Sequence, residues 1–145
     1  MVNEITLIVE ELGGETALGR PVHTREDMSA AIREGFPFAV VQALVETSGL
    51  TLQEISSSLD LSIRSLRRPK HKGRLARYES DRLYRLAHVV ALAAHFIGNH
   101  KKGTDWLKRP NPLLGSLPPF RLLDTQLGAL QVENVLGRIG YGGVG

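Results

Sequence analysis

The stretch from Thr51 to Arg77, TLQEISSSLDLSIRSLRRPKHKGRLAR, decides how this chain is read. It opens with Thr51-Leu52-Gln53-Glu54, a capping box in which a hydroxyl and a carboxylate three residues apart each satisfy a free backbone N–H at a helix start. Ile55 and Leu59 then face one way, and the small Ser56 stands where a second helix would touch the first. Asp60 falls at the turn, and Asp tolerates a left-handed backbone better than most residues. Ser62 suits the cap of a short second helix that ends near Arg68-Pro69, with Leu61 and Leu66 locking it inward. Two short helices joined by a tight turn and held by apolar residues make a helix-turn-helix.

Charge falls on the same place. Arg64, Arg67, Arg68, Lys70, Lys72, Arg74 and Arg77 lie between Ser62 and Arg77 with no acid among them, a strip of +7. The whole chain is +3, so the rest is about −4. One cationic strip on a weakly acidic body is the footprint of a phosphate-backbone binder. A solvated charge run is the plainer explanation, but this run coincides with the second, reading helix. Ser62 and the N–H groups beside it suit a phosphate. Arg64, Ser65 and Arg68 are expected to reach base edges, with Arg matched to guanine, and Arg67 lies on the same outer side. Lys70, Lys72, Arg74 and Arg77 come next in a loop suited to backbone contacts.

Outward from this stretch the chain reads as all-α. Thr24 and Asp27 form a second capping box closed by Gly35, and a helix beginning near Pro37 runs to Gly49. A longer helix from about Glu79 to Ile97 is apolar on several faces, which implies central burial. Trp106-Leu107 closes a short helix, Pro110-Asn111-Pro112 forces an extended turn, and Pro118-Pro119 starts another short turn. Asp124 is expected to cap a last helix carrying Val132, Val135, Leu136 and Ile139 at i, i+3, i+4, i+7. Before all this, Ile5, Leu7 and Val9 alternate as in a strand, and Gly13, Gly14, Gly19 and Pro21 break anything longer. The expected organisation is a loosely ordered arm (1–22), a helix-turn-helix region for DNA binding and dimerisation (23–78), and a central helix with a C-terminal domain (79–145).

Other chemistries find little support. The absence of cysteine excludes disulfide scaffolds, thiol catalysis and Cys-ligated metal. His23, His71, His88, His95 and His100 have no metal-ligand spacing, and His88 and His95 suit a core or interface role. No serine has a nucleophile-elbow context. Gly140-Tyr141-Gly142-Gly143-Val144-Gly145 spells G-x-G-x-x-G, yet a dinucleotide site needs a strand before it and a helix after it. No catalytic residue, metal or cofactor is expected, and the chain reads as a non-enzymatic cytoplasmic protein with no membrane partner.

Several of these pieces resemble the Xre/MbcA/ParS-type antitoxins, partners of RES-domain toxins. The resemblance is carried by the helix-turn-helix from Leu52 to Leu66, Gly73-Arg74-Leu75 and Glu79-Ser80-Asp81-Arg82-Leu83. It continues through Trp106-Leu107, Pro110-Asn111, Leu114-Gly115, Pro118 to Leu123, Asp124-Thr125 and Gly137 to Gly142. The chain departs from the pattern at Ser116-Leu117-Pro118-Pro119 and at Gly140. The resemblance implies an all-helical homodimer that binds its own operator DNA and forms a hetero-oligomer with a cognate NAD-consuming RES-domain toxin, covering that toxin's active site. It assigns toxin binding to Arg138, Tyr141 and Gly142, with Leu136 and Ile139 as packing. The alternative is a stand-alone helix-turn-helix repressor whose C-terminal region only dimerises or senses a ligand.

Overall fold

The computed structural model describes residues 3–68 and 73–141. These residues form a stack of helices around one long central helix, in agreement with the all-α reading. In chain order the helices are α1 (Glu4–Glu11), α2 (Gly14–Leu18), α3 (Arg25–Glu34), α4 (Ala39–Ser48), α5 (Leu52–Leu59), α6 (Ile63–Arg67), α7 (Arg77–Ile97), α8 (His100–Lys108) and α9 (Gln126–Gly140). Two short 3-10 turns, Pro112–Leu114 and Pro119–Leu122, link α8 to α9.

The central position of α7 arises from its composition. Leu83, Leu86, Ala87, Val89, Val90, Ala91, Leu92, Ala93 and Ala94 are buried, so it has no solvated face between Val89 and Ala94. It packs against α1, α3, α4, α5, α8 and α9. One continuous core runs from Ile5 to Leu136 around it. Small residues let neighbours come close. Gly103 of α8 sits so near α7 that a Cβ there would stand 2.8 Å from the Ala93 carbonyl carbon and the Ala94 nitrogen.

The N-terminal segment departs from expectation. It is not a loosely ordered arm but two helices, with Ile5, Ile8, Leu12, Ala17 and Leu18 buried. Ile5, Ile8, Val9 and Leu12 also stand at i, i+3, i+4, i+7, and the Asn3 side chain accepts the Ile5 N–H at 2.9 Å to cap the helix. The β-branched residues disfavour this helix in isolation, and packing on α7 outweighs that preference.

The capping boxes at Thr24 and Thr51 form as expected, and Gly35 closes α3. The last helix is capped by Thr125, not Asp124: the Thr125 hydroxyl accepts the Gly128 N–H at 2.9 Å. The long helix starts two residues before Glu79, at Arg77, because the Glu79 carboxylate accepts the Ala76 N–H at 2.9 Å and so belongs to its first turn.

The Glu54 carboxylate has two tasks. One oxygen accepts the Thr51 N–H at 2.9 Å, and the other pairs with the Lys108 ammonium of α8 at 2.8 Å. Burial works to raise its pKa. Hydrogen bonds from Lys108 and from the Thr51 backbone outweigh that and hold the carboxyl below its ordinary 4.5. A carboxylate depressed in the folded state contributes stability above its unfolded pKa, and that contribution is lost as pH falls through the folded value.

This packing sets the sign of two glycine substitutions. Gly103→Ala should destabilise the fold by about 1–3 kcal/mol through overpacking. Gly137→Ala, in a helix position with nothing within 4 Å of the new methyl, should stabilise it by about 0.5–1 kcal/mol. Urea unfolding reads both signs. Glu54→Gln should cost about 0.5–1 kcal/mol at pH 7, with the gap to wild type closing as pH falls below 4.5; a gap independent of pH would mean that the Lys108 pair contributes nothing.

Candidate functional site

The two helices and the turn read from Thr51 to Arg68 are present. Asp60 adopts φ 53° and ψ 49°, the left-handed conformation that lets α6 turn away from α5. The Ser56 hydroxyl donates to the Leu61 carbonyl at 2.5 Å, and the Leu61 N–H donates to the Ser56 carbonyl at 3.0 Å. Ile55, Leu59, Leu61 and Leu66 are buried and hold the pair to the core. The Ser62 hydroxyl caps α6 by accepting the Ser65 N–H.

A residue not assigned to the motif's architecture from sequence completes it. From α7, the Arg82 guanidinium donates to the carbonyls of Asp60 at 2.8 Å and Leu59 at 3.3 Å. It lies 5.5 Å from the ring centre of the exposed Tyr78. Carbonyls at a helix end have no intrahelical partner, and a cation there complements the helix dipole. Arg82 therefore ties the turn, and with it the start of α6, to the central helix. The signal in the sequence is faint, because its partners lie 22 and 23 residues away.

The expected contact residues divide. Ser62, Arg64, Arg67 and Arg68 are exposed on and beside α6, and among the described residues none of the three arginines is in an ion pair. Arg77 is exposed at the first position of α7. Ser65 is 5% exposed and points into the packing, so it does not present a hydroxyl on the expected outer side. Arg74 is partly taken up internally, donating to the Gly35 carbonyl at 2.9 Å with Glu34 3.9 Å away. Its neighbours are fastened as well: the Phe38 N–H donates to the Gly73 carbonyl at 2.8 Å and the Leu75 N–H to that of Phe36 at 2.9 Å. Lys70 and Lys72 lie outside the described residues.

At the other candidate site, α9 buries Ala129, Val132, Val135 and Leu136 against the core. Leu136 is 0% exposed, so it serves the core and not a partner, and Ile139 is half-buried against it. Arg138 is exposed, and Tyr141 is 83% exposed. The Tyr141 ring lies edge-on to Phe96 of α7, with centroids 5.4 Å apart. Gly140 has no room for a side chain, since a Cβ would meet the Phe96 ring. Gly142 lies outside the described residues.

Two further contacts of α7 fix this end. Arg85 donates to the Leu123 carbonyl at 3.0 Å just before α9. His88 bridges carboxylates of two helices, 3.2 Å from Glu4 of α1 and 3.6 Å from Glu133 of α9. Burial raises the pKa of Glu133, the His88 contact lowers it, and the charge of Glu4 raises it again. This is the interface role expected of His88, whereas His95 is exposed and edge-on to Phe96. Among the described residues, no cluster of three or more His, Cys, Asp or Glu is placed to hold a metal ion. Nor is any described helix long and apolar enough to cross a membrane.

Comparison with known proteins covers both sites. Residues 27–88 match the family model of the antitoxin Xre-like helix-turn-helix domain. Residues 91–142 match that of the antitoxin Xre/MbcA/ParS C-terminal toxin-binding domain. An antitoxin Xre of Photorhabdus laumondii is 35% identical over 127 residues, which is 86% of this chain and 86% of that protein. One of Pseudomonas putida is 36% identical over 131 residues, 88% and 77% respectively. One of Yersinia enterocolitica is 32% identical over 127 residues, 86% of each. The fold is also similar to a chain in the crystal structure of the M. tuberculosis MbcT-MbcA toxin-antitoxin complex. That match has a TM-score of 0.55 and 25% identity, and it covers 72% of this chain and 94% of the other. With a helix-turn-helix domain, a toxin-binding domain and relatives alike over most of their length, this chain belongs to the Xre family of antitoxins.

Proposed function

We propose that this antitoxin binds and neutralises a cognate RES-domain, NAD-consuming toxin by covering its active site, and represses its own operon through the helix-turn-helix. The observation that carries this reading is the pairing of two unspent surfaces on one core. Arg64, Arg67 and Arg68 stand exposed beside a capped reading helix, and Arg138 and Tyr141 stand exposed at the end of α9.

The DNA end works by charge and by geometry. The arginines and Arg77 neutralise backbone phosphates, and Arg64 and Arg68 present guanidinium groups to guanine edges. Lys70 and Lys72, next in the sequence, add to the positive charge. A homodimer on a palindromic operator would place two such helices about one DNA turn apart. At the toxin end no chemistry is required of the antitoxin. Tyr141 is an amphipathic ring with few rotors, suited to anchoring in a partner's cleft, and Arg138 supplies the charge beside it. Occlusion of the substrate entrance is the mechanism, and the cytoplasm is where operator and toxin are both met.

The two ends are separable by experiment. Affinity for the promoter fragment should fall with salt at a log–log slope of roughly −3.6 to −5.4, as for about four to six neutralised phosphates. Arg64→Ala with Arg68→Ala should abolish the shift of that fragment while leaving toxin neutralisation intact. Removal of residues 138–145 should do the reverse, sparing folding and DNA binding but losing protection of cells that express the neighbouring RES-domain protein, read as growth and NAD level. A flat salt dependence contradicts the DNA half, and full protection by the truncated chain contradicts the toxin half.

A further inference from the structure

The toxin contact assigned to Arg138 and Tyr141 uses only the end of α9, yet the outward face of that helix carries exposed side chains along its whole length. Leu127, Leu130, Asn134, Arg138 and Tyr141 are all exposed and fall within one helical stripe, about 21 Å long at 1.5 Å per residue. Its first half is apolar. Leu127 is 70% exposed and Leu130 is 47% exposed, although the core-facing side of the same helix is already filled by Ala129, Val132, Val135 and Leu136. The core has no use for these two leucines, and leaving them in water is unfavourable.

We propose that Leu127 and Leu130 form a second, apolar anchor for the toxin, so that the toxin lies along the full outer stripe of α9 instead of gripping its tip. The inference rests on the toxin-binding reading and extends it. The occupant is argued from position. Both leucines fall inside the segment that matches the toxin-binding domain, and their stripe continues without a break into Arg138 and Tyr141. The turn Pro112–Leu114, with Leu113 also exposed, packs against the same helix and widens the apolar end. The complementary surface is an apolar groove on the toxin, with a carboxylate or other acceptor where Arg138 arrives. Binding energy concentrated in a few buried side chains of this kind is the usual pattern at interfaces.

The test uses the full chain and a catalytically inactive form of the neighbouring RES-domain protein, with affinity measured by calorimetry. Leu127→Gln with Leu130→Gln should weaken binding by about 30-fold or more, with thermal midpoint, promoter binding and light-scattering mass unchanged. Equal affinity in the double variant overturns the inference while the toxin reading stands. A fall in mass with equal affinity also overturns it, and assigns the leucines to a second copy of this chain. Failure of the wild-type chain to bind overturns the toxin reading itself. Because the chain has no cysteine, Leu127→Cys gives a second readout. Modification of that thiol should slow at least about ten-fold in the complex, and an unchanged rate is inconsistent with burial there.

Discussion

Everything in this molecule hangs on the burial of α7. A helix that is apolar on several faces, and buried all round from Val89 to Ala94, cannot be left at a surface, so neighbours must be laid around it. The chain supplies them from both directions, α1, α3, α4 and α5 from before it and α8 and α9 from after it. The matches to the two family models stop at residue 88 and resume at 91, inside this one helix. The helix-turn-helix domain and the toxin-binding domain are therefore distinguishable in sequence, but they share a core that runs through both.

The polar residues of α7 deepen that linkage. Arg82, Arg85 and His88 succeed one another at intervals of three, about one turn apart. The first holds the carbonyls of the helix-turn-helix, the second the segment before α9, and the third joins α1 to α9. Each spends its side chain on a backbone carbonyl or a carboxylate of another element. The surfaces left unspent are the arginines of α6 and the outer stripe of α9.

Much of this is legible in the sequence because helix starts are local. Thr24 with Asp27, Thr51 with Glu54, and Ser62 all cap helices by contacts within three residues. Asp60 declares its turn for the same reason. The misreadings have equally physical causes. The β-branched residues of the first nine imitate a strand, and only packing on a helix far along the chain decides otherwise. In a five-residue helix such as α6, too few residues repeat to define a face, so Ser65 reads as outward although it is buried. Leu136 and Leu127 lie on one amphipathic helix whose pattern marks an apolar face but not which leucine is surplus. Arg74 reads as a phosphate-backbone contact and Arg82 only as part of the family-like stretch Glu79 to Leu83, since their carbonyl partners are 39 and 22 residues away.

The central claim is that a single helix unites both functional regions into one cooperative unit, and native-state hydrogen exchange tests it directly. The amides of Leu86 to Ala93 should exchange only through global unfolding, with the same free energy as the most protected amides of α1, of α5 and of Val132 to Leu136 in α9. Loss of protection across residues 91–141 at low denaturant, while α3 to α6 stay protected, would show two separately folding domains and contradict that claim.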